Sequence, residues 1–390
     1  MIRSVLIAVF GLSSVYGYEH KSDITINQVS YNDSSNEVLL NGQTELKFEN
    51  DIFTTKINLE YLYSSEYSER RYLYVNELYI TKEYEEYRFS LGKIIKYWGE
   101  LEGFNIADVF NQKNYLFDPF DKSAKLGSWA FLASRYLEDD VIEFGLKFYE
   151  EDQKYPDNFS PNYPFGSMYY DDDLILSDSR YKPTFHLSYS FATDELLESE
   201  TKLIFQHGYD NKRYFIPVDQ STLAQYAYRM NRYLLLSHIV YEDTIFKMEA
   251  SYTDVISDDM ISDYAQLSFG VEKSFYDLAG SDLNLYAEYY RYIYFDDDKI
   301  ENVDISEIYN DDIFLALKLN FNNVGSTEFK GGILYDLGNK EKVFKIEAKS
   351  RIKDSFIINA ELLRLLPQDN TILFKFDDHT RIMLGLSYTF

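Results

Sequence analysis

Apolar and polar residues alternate along most of this chain, as they do in extended strands with one face in lipid and the other in water. Residues 380–390 show this most clearly. In an extended strand Ile382 and Leu384 would lie on one face, and Arg381 and Met383 on the other. A sheet built from such strands can separate lipid from water, but it cannot lie between two layers of helices.

The same alternation predicts 18 strands, or 16 if the weak N-terminal hairpin stays outside the wall. The predicted strands span residues 23–31, 36–48, 53–63, 70–80, 86–95, 127–137, 140–150, 181–191, 198–208, 226–241, 245–252, 264–275, 283–295, 313–321, 328–335, 343–350, 356–365 and 380–390. Every second connection between them is short, and the other series contains all the long ones. Bacterial barrels alternate short periplasmic turns with longer outer loops in this way. We therefore predict an all-β fold, a transmembrane antiparallel up-and-down β-barrel of the bacterial outer membrane.

The N-terminus has the layout of a secretory signal peptide. Arg3 precedes an apolar run at residues 5–12, and small residues follow up to Gly17. We predict a signal peptide at residues 1–17, with a short buried helix as the alternative, and one barrel domain at residues 18–390. No later stretch approaches the roughly 20 apolar residues that a membrane-spanning helix needs.

Composition supports a membrane barrel and excludes other classes. The chain has 38 Tyr and 29 Phe, more aromatic residues than an ordinary core needs, and such rings favour the two headgroup levels of a membrane. The absence of cysteine excludes disulfides and thiolate chemistry. A formal net charge of -27 argues against nucleic acid as a partner and is compatible with cation-bridged lipopolysaccharide. We predict no cofactor.

The C-terminal strand resembles the last strand of bacterial outer-membrane barrels, because it ends the chain on an aromatic residue, Phe390. This resemblance implies that Phe390 is an assembly signal read by the barrel-assembly machinery. The third outer connection, residues 96–126, occupies the same place in the strand order as the loop that general porins fold into their lumen. By this resemblance we expect residues 96–126 to fold inward and narrow a channel.

The same connection resembles a family of porin-like outer-membrane proteins. In that family a strand ending in Gly-Lys or Gly-Arg leads into Trp-Gly-Glu, and a run of Asn and Asp follows. The matching residues here are Gly92, Lys93, Trp98, Gly99, Glu100, Asn105, Asp108 and Asn111. The resemblance implies a porin-like protein and says nothing about its solute.

Two interpretations of the loop residues remain open. In the first, Trp98 anchors the loop and Gly99 permits a tight turn, while polar side chains, Asn105, Asp108 and Asn111, cap loop amides. In the second, five acids form one half of a constriction: Glu100, Glu102, Asp108, Asp118 and Asp121. A basic wall would face them, formed by Lys56, Arg88 and Lys147. Such a transverse field selects polar solutes by charge.

Two acidic runs in the outer loops raise the question of a metal site. They are Asp171, Asp172 and Asp173, and Asp296, Asp297 and Asp298. Clustered oxygens suit Ca²⁺ or Mg²⁺, but the spacing lacks the Gly-centred calcium-loop pattern. A solvated acidic rim is the simpler interpretation, so we predict no metal site.

A wall of 16 to 18 strands is wide enough for a water-filled lumen. We therefore predict a porin for small hydrophilic solutes or ions. The alternatives are a receptor or adhesin with a plugged lumen, and a barrel hydrolase such as a phospholipase. A hydrolase would depend on His186 and Ser188, which share one predicted lumen face, but no hydrolase motif accompanies them, and we predict no enzyme. Expected partners are outer-membrane lipid, lipopolysaccharide, the assembly machinery and small solutes, and a homo-trimer is left open.

Overall fold

The computed structural model describes residues 17–194, 197–256, 258, 261–296, 308–369 and 371–390. Residues 1–16, which make up nearly all of the predicted signal peptide, lie outside this description. No helix among the described residues is long and apolar enough to cross a membrane.

Eighteen strands form one antiparallel sheet that closes on itself. They are β1 (Gly17–Tyr31), β2 (Asn36–Glu49), β3 (Thr54–Ser64), β4 (Arg71–Tyr84), β5 (Tyr87–Ile94), β8 (Ser128–Leu137), β9 (Asp140–Lys147), β11 (Thr184–Thr193), β12 (Glu198–Tyr209), β15 (Arg229–Tyr241), β16 (Thr244–Ile256), β17 (Tyr264–Phe275), β18 (Asp282–Tyr294), β19 (Asp311–Asn320), β20 (Glu328–Asp336), β21 (Lys342–Lys353), β22 (Phe356–Leu366) and β23 (Arg381–Thr389). Five short strands lie in the outer connections: β6 (Gln112–Lys113), β7 (Lys125–Leu126), β10 (Tyr169–Leu176), β13 (Tyr214–Pro217) and β14 (Thr222–Ala227). Two 3-10 turns, Ser68–Arg70 and Leu373–His379, precede β4 and β23.

The barrel closes where the first strand pairs with the last. Asp23 of β1 lies opposite Thr389 of β23, and the register runs without a break to the pair formed by Tyr31 and Arg381. Because β1 and β2 both pair within the wall, the alternative of 16 strands is wrong, and the predicted 18-stranded antiparallel barrel is confirmed.

The two faces of the wall differ as the alternation predicts. On β23 the side chains of Ile382, Leu384 and Leu386 are 55%, 58% and 44% exposed, whereas Arg381 is 6% exposed. Exposed aromatic residues mark the strand ends, with Tyr84 and Phe275 at periplasmic turns and Tyr63 and Trp129 at the outer side. An apolar outer face with aromatic borders suits lipid, and the protein is one of the bacterial outer membrane.

One predicted strand and one predicted loop are wrong in part. Residues 226–241 do not form one wall strand, because the wall strand β15 begins only at Arg229. The residues before it belong to β14, which pairs in parallel with β10 and antiparallel with β13. These three strands form a small outer sheet, and β10 lies in the segment predicted as the irregular loop 151–180. Strands of an outer sheet alternate with the same period as strands of a wall, so periodicity does not separate them.

A charge on the lipid face should destabilise the barrel. We expect Leu384→Arg to lower the free energy of unfolding by about 2–4 kcal/mol, the cost of a basic side chain deep in the apolar band of a barrel. The matched control, Met383→Arg, places the same charge one residue away on the inward face and should cost clearly less. Urea unfolding of protein refolded into lipid vesicles measures both. Equal losses would contradict the assignment of faces.

Candidate functional site

The connection between β5 and β8, residues 95–127, contacts inward-facing side chains on strands around the whole barrel. Its partners include Glu143 on β9, His238 on β15, Lys330 on β20 and Arg381 on β23. Because these strands lie on different sides of the barrel, the segment crosses the space that they enclose. We name residues 95–127 the inner loop.

Two buried carboxylates of the wall hold the backbone of the inner loop. Glu249 of β16 accepts hydrogen bonds from the amides of Glu100 and Ala107, at 2.7 and 3.0 Å. Glu288 of β18 accepts two more, from the amides at 102–103, at 2.6 and 2.9 Å. An irregular buried segment has backbone donors that no sheet satisfies, and these four bonds supply partners for them.

The first half of the inner loop packs against an apolar part of the wall. Trp98 is 3% exposed and meets the rings of Phe110 and His186 edge-on, with centroids 5.6 and 5.0 Å apart. The wall side chains of this cluster are Ala130, Leu132, Ile204, Leu234 and Leu236. This side of the lumen is therefore filled by protein.

Glycines on the inward face make this packing possible. A Cβ at Gly145 would lie 1.9 Å from the ring of His186, and one at Gly270 would lie 2.5 Å from Leu101 of the inner loop. Within the inner loop, a Cβ at Gly99 would lie 2.3 Å from the side chain of Asn105. At Gly145 and Gly99 a Cβ would overlap a ring or the inner atoms of a short side chain, which favours glycine, whereas at Gly270 the flexible end of Leu101 would have to move.

Two asparagines of the family-like motif bind backbone groups of the inner loop. Asn105 accepts a hydrogen bond from the amide of Leu101 at 2.9 Å. Asn111 accepts one from the amide of Lys96 at 2.8 Å and donates to the carbonyl oxygen of Ile94 at 2.9 Å. Both side chains thus satisfy backbone amides and carbonyl groups that a neighbouring strand would satisfy in a regular sheet.

Three of the predicted constriction acids have close partners, a lysine for two of them and a histidine for the third. Asp108 and Lys125, both within the inner loop, lie 2.5 Å apart, and burial lowers the pKa of Lys125 despite this carboxylate. Glu100 lies 3.0 Å from the imidazole of His238 on β15. Glu102 pairs with Lys330 of β20, and this contact lowers the pKa of Glu102 although burial opposes it. These acids contact Lys125, His238 and Lys330, and not the predicted basic wall.

The tip of the inner loop is tied to the outer end of the barrel by a fourth acid. Asp118 lies 2.5 Å from Arg381 and 3.3 Å from His379. Burial opposes its charge, but these two neighbours hold the pKa of Asp118 well below its usual range. Arg70 donates to the carbonyl oxygens of the two residues before Asp118, at 2.9 and 3.0 Å.

The three predicted basic residues do not lie together. Lys56 pairs with two acids of neighbouring strands, Glu45 at 3.1 Å and Glu77 at 2.9 Å. Arg88 is exposed at the periplasmic end of β5. Lys147 is buried, and its ammonium lies over Phe110 of the inner loop, so it is on the filled side. Between them they do not form a surface opposite the acids.

Space remains on the other side of the inner loop, between its tip and the strands β1–β3 and β20–β23. Three cavities of about 230, 310 and 320 Å³ lie there, and Asp121 lines all of them. Its carboxylate also accepts a hydrogen bond from the amide of Ser123 at 2.7 Å. The polar lining includes Asn27, Asn41, Lys345, Glu347, Asn359 and Glu361. These three cavities, set to one side of the lumen, are the candidate functional site.

Aromatic stacking joins the inner loop to the outer sheet. Tyr115 of the inner loop stacks on Tyr155, with ring centroids 4.6 Å apart and planes 9° apart. The rest of this cluster comprises Tyr163, Phe165, Met168, Tyr170, Phe215 and Leu223. The outer connections are thus ordered above the filled side of the lumen.

The described side chains of the outer acidic runs, Asp171, Asp173 and Asp296, do not line these cavities. The carboxylate of Asp171, on β10, accepts a hydrogen bond from the amide of Asp173 at 3.1 Å. The side chain of Asp172, and Asp297 and Asp298 beyond Asp296, are outside the described residues. Among the side chains that are described, no group of three or more His, Cys, Asp or Glu could hold a metal ion.

The residues that hold the inner loop were not predicted from the sequence. They are Glu249, Glu288, Arg70 and Arg381. A signal existed for the two glutamates and for Arg381, because each is a charged residue at a water-facing position of a predicted strand. Their partners lie far away in sequence, and alternation within a strand carries no information about them.

No protein-family model and no curated protein sequence matches the chain. Solved outer-membrane structures do match its fold. OccD3 (OpdP) of Pseudomonas aeruginosa has a TM-score of 0.54 and 10% identity, over 96% of this chain and 91% of that one. OccK5 (OpdH) of the same organism has a TM-score of 0.54 and 10% identity, over 95% and 97%.

The carbohydrate-binding barrel Wzi of Escherichia coli, involved in group 1 capsule assembly, has a TM-score of 0.56 and 10% identity, over 95% of this chain and 84% of its own. Identities this low show a shared fold alone. The structural neighbours are outer-membrane barrels, porin-type ones among them, and the fold defines this chain as a large β-barrel of the bacterial outer membrane.

Removing a wall carboxylate should loosen the inner loop. Glu249→Ala leaves two loop amides without hydrogen-bond partners. Each unpaired buried donor costs about 1–3 kcal/mol of stability in the folded position of the loop. Because the chain has no cysteine, Ala107→Cys gives a single buried thiol. Its maleimide labelling should be about tenfold faster or more when Glu249→Ala is added. Glu272→Ala, which removes the partner of Lys247, is the matched control and should leave the rate unchanged. Equal labelling in all three proteins would contradict the anchoring role.

Low pH should weaken the contacts that His379 and Arg381 make with Asp118 near the tip of the inner loop. Burial and the charge of Arg381 lower the pKa of His379 from 6.5 to about 4, so the unfolded chain takes up this proton first as the pH falls. The contribution of a neutral His379 is therefore full above pH 6.5 and is lost as the pH falls towards 4. We expect the urea midpoint to fall over this window, and to fall less in His379→Gln. Parallel pH profiles for the two proteins would contradict this assignment.

Proposed function

We propose that the protein is a porin through which small hydrophilic solutes or ions diffuse passively along a passage beside the inner loop. One observation carries the proposal: three adjoining cavities meet at Asp121, two of them lined mainly by polar side chains, while the side of the lumen around Trp98 is packed with apolar side chains. Water and polar solutes are favoured on the first side and excluded from the second.

Charges of both signs border the proposed passage. Lys345 lies 3.0 Å from Glu347 and 3.3 Å from Glu361 on the wall, and Asp121 stands on the inner loop. A solute between them would experience a transverse field that orders water and discriminates by charge and dipole. In this proposal Lys330 and Lys345 take the role predicted for the basic wall of Lys56, Arg88 and Lys147.

Conductance in a planar bilayer tests the proposal. Purified protein should give stepwise currents, and Asp121→Asn should shift the reversal potential in a salt gradient towards anions, because one negative charge leaves the passage. The matched control is Asp51→Asn, which removes an equal charge from an exposed periplasmic turn and should change nothing. Absence of current steps would refute the channel. Steps with an unchanged reversal potential would refute the role of Asp121 alone.

A receptor or adhesin is the second candidate function. It is favoured by the outer sheet and by the aromatic cluster around Tyr155, which give the outer connections a fixed surface. A receptor of this kind would bind its ligand with no current steps, and the loss of β10 and β14 would abolish binding without affecting the barrel.

We infer that the protein is not an enzyme. His186, the residue on which a hydrolase would depend, packs against Trp98 and Phe110 and lies 3.1 Å from Glu143. These contacts support a structural role beneath the inner loop. Lipid turnover that is abolished by His186→Ala would overturn this inference.

Assembly through the C-terminus also belongs to the proposal. The side chain of Phe390 is 52% exposed, and its backbone exchanges hydrogen bonds of 2.9 and 3.0 Å with Ser22 of β1. We propose that the barrel-assembly machinery reads this residue before β1 covers the strand edge. A homo-trimer is compatible with the apolar outer face, and its assembly state is measured by light scattering in detergent.

A further inference from the structure

A groove of about 810 Å³ opens in the barrel wall at the outer end of β22. The pairing of β22 with β23 stops at Leu363 and Arg381, and the pairing of β1 with β23 stops at Tyr31 and Arg381. Strand β22 continues to Leu366 beyond this level. The wall therefore has a notch above the start of β23, between β22 and β1, and we name it the rim groove.

The lower part of the rim groove faces lipid. Leu363 and Leu365 are 0% and 2% exposed and point inward, so the residues between and beside them point outward. Leu362 and Leu366 are exposed on this face, and Ile382 of β23 lies beside Leu362 in the register. These three side chains form an apolar strip that leads from the membrane into the groove.

Basic side chains border the same groove. Arg364 lies on the outward face of β22 between the two leucines of the strip. On β21, Lys342 pairs with Leu366 and Phe344 pairs with Arg364, which makes Lys342 and Arg364 diagonal neighbours on one face. Lys340, just before β21, is a third cation of the lining.

These cations are available to a ligand. Most lysines described on the inner wall pair with a carboxylate, but within the described residues Arg364, Lys340 and Lys342 form no ion pair. The ammonium of Lys342 lies 5.6 Å from the ring of Tyr335. Asp377 is the one carboxylate of the groove lining, against these three cations. A local excess of positive charge on a chain of net charge -27 calls for an anionic partner.

We propose that the rim groove binds lipopolysaccharide of the outer leaflet. A phosphate of its lipid A part binds to Arg364 and Lys342, and an acyl chain lies along Leu362 and Leu366. Arginine suits this role because its planar guanidinium binds phosphate through two parallel hydrogen bonds. The groove lies at the outer headgroup level, where this lipid carries its phosphates above its acyl chains. A soluble phosphate has no apolar part that could contact the apolar strip. The site is on the lipid side of the wall and does not depend on conduction through the lumen.

Retention of lipid A by purified protein tests the proposal. Wild-type protein and the double variant Arg364→Gln, Lys342→Gln are placed in phosphatidylethanolamine nanodiscs that contain bisphosphorylated lipid A, with a chelator present to remove bridging cations. Bound lipid is measured by native mass spectrometry. We expect the apparent dissociation constant of the double variant to rise about tenfold or more, as loss of charged contacts to a phosphate does.

Three controls make the result decisive. The double variant Arg351→Gln, Lys353→Gln removes two exposed cations from the periplasmic end of β21, the strand that carries Lys342 at its outer end. This variant should retain lipid A as wild type does. Dephosphorylated lipid A, and phosphatidylglycerol as a probe of any anionic lipid, should bind to wild type about tenfold more weakly or worse. Equal retention by the groove variant, or equal binding of either control lipid, would overturn the proposal. Heat-dependent mobility on gels verifies that each variant is folded.

Discussion

Every other feature depends on the pairing of β1 with β23, which turns a sheet into a ring. In lipid no water is present to satisfy an open strand edge, so only a closed sheet leaves no backbone donor or acceptor unpaired. Closure also gives each residue a side, since alternate side chains must point out to lipid or in to the lumen. The exposed leucines of β23 and the buried Arg381 on the same strand are direct results of this constraint.

A ring of 18 strands encloses more space than its own side chains fill. The inner loop fills one part of it, and the loop needs polar partners because its backbone is irregular. Glu249 and Glu288 provide them from the wall, and Trp98 adds apolar contact. The Trp98 contacts are on the side opposite the cavity lined by Asn27 and Asn359, whereas Glu288 holds Glu102 and Gly103, which line another of the cavities. The packing around Trp98 thus follows from apolar wall residues such as Leu234 and Leu236, whereas polar wall residues such as Asn27 and Asn359 border the space that stays open.

The fold was predictable because a period of two residues is a local signal. Each wall strand could be found in its own segment, although several bounds differ by a few residues, and the segment at 226–241 joined the end of β14 to the wall strand β15. The site was predictable only in part. The motif residues Trp98 and Asn111 were found, but the partner of Asp118 was not, because Arg381 is 263 positions away in the chain. Such a pairing depends on how the barrel closes, and a single sequence does not encode it in any local pattern.

The inner loop is held to the wall through residues 98–111 and again at Asp118, and other side chains near its tip border the cavities. Residues 98–111 contact the wall, whereas Phe117, Asp121 and Ser123 line one of the cavities. Evolution can therefore exchange the second group of side chains without disturbing the first. Under the proposed function, related barrels that differ only at these tip positions would admit different nutrients, since a few codon changes would alter the cavity lining and leave the rest of the gene as it is.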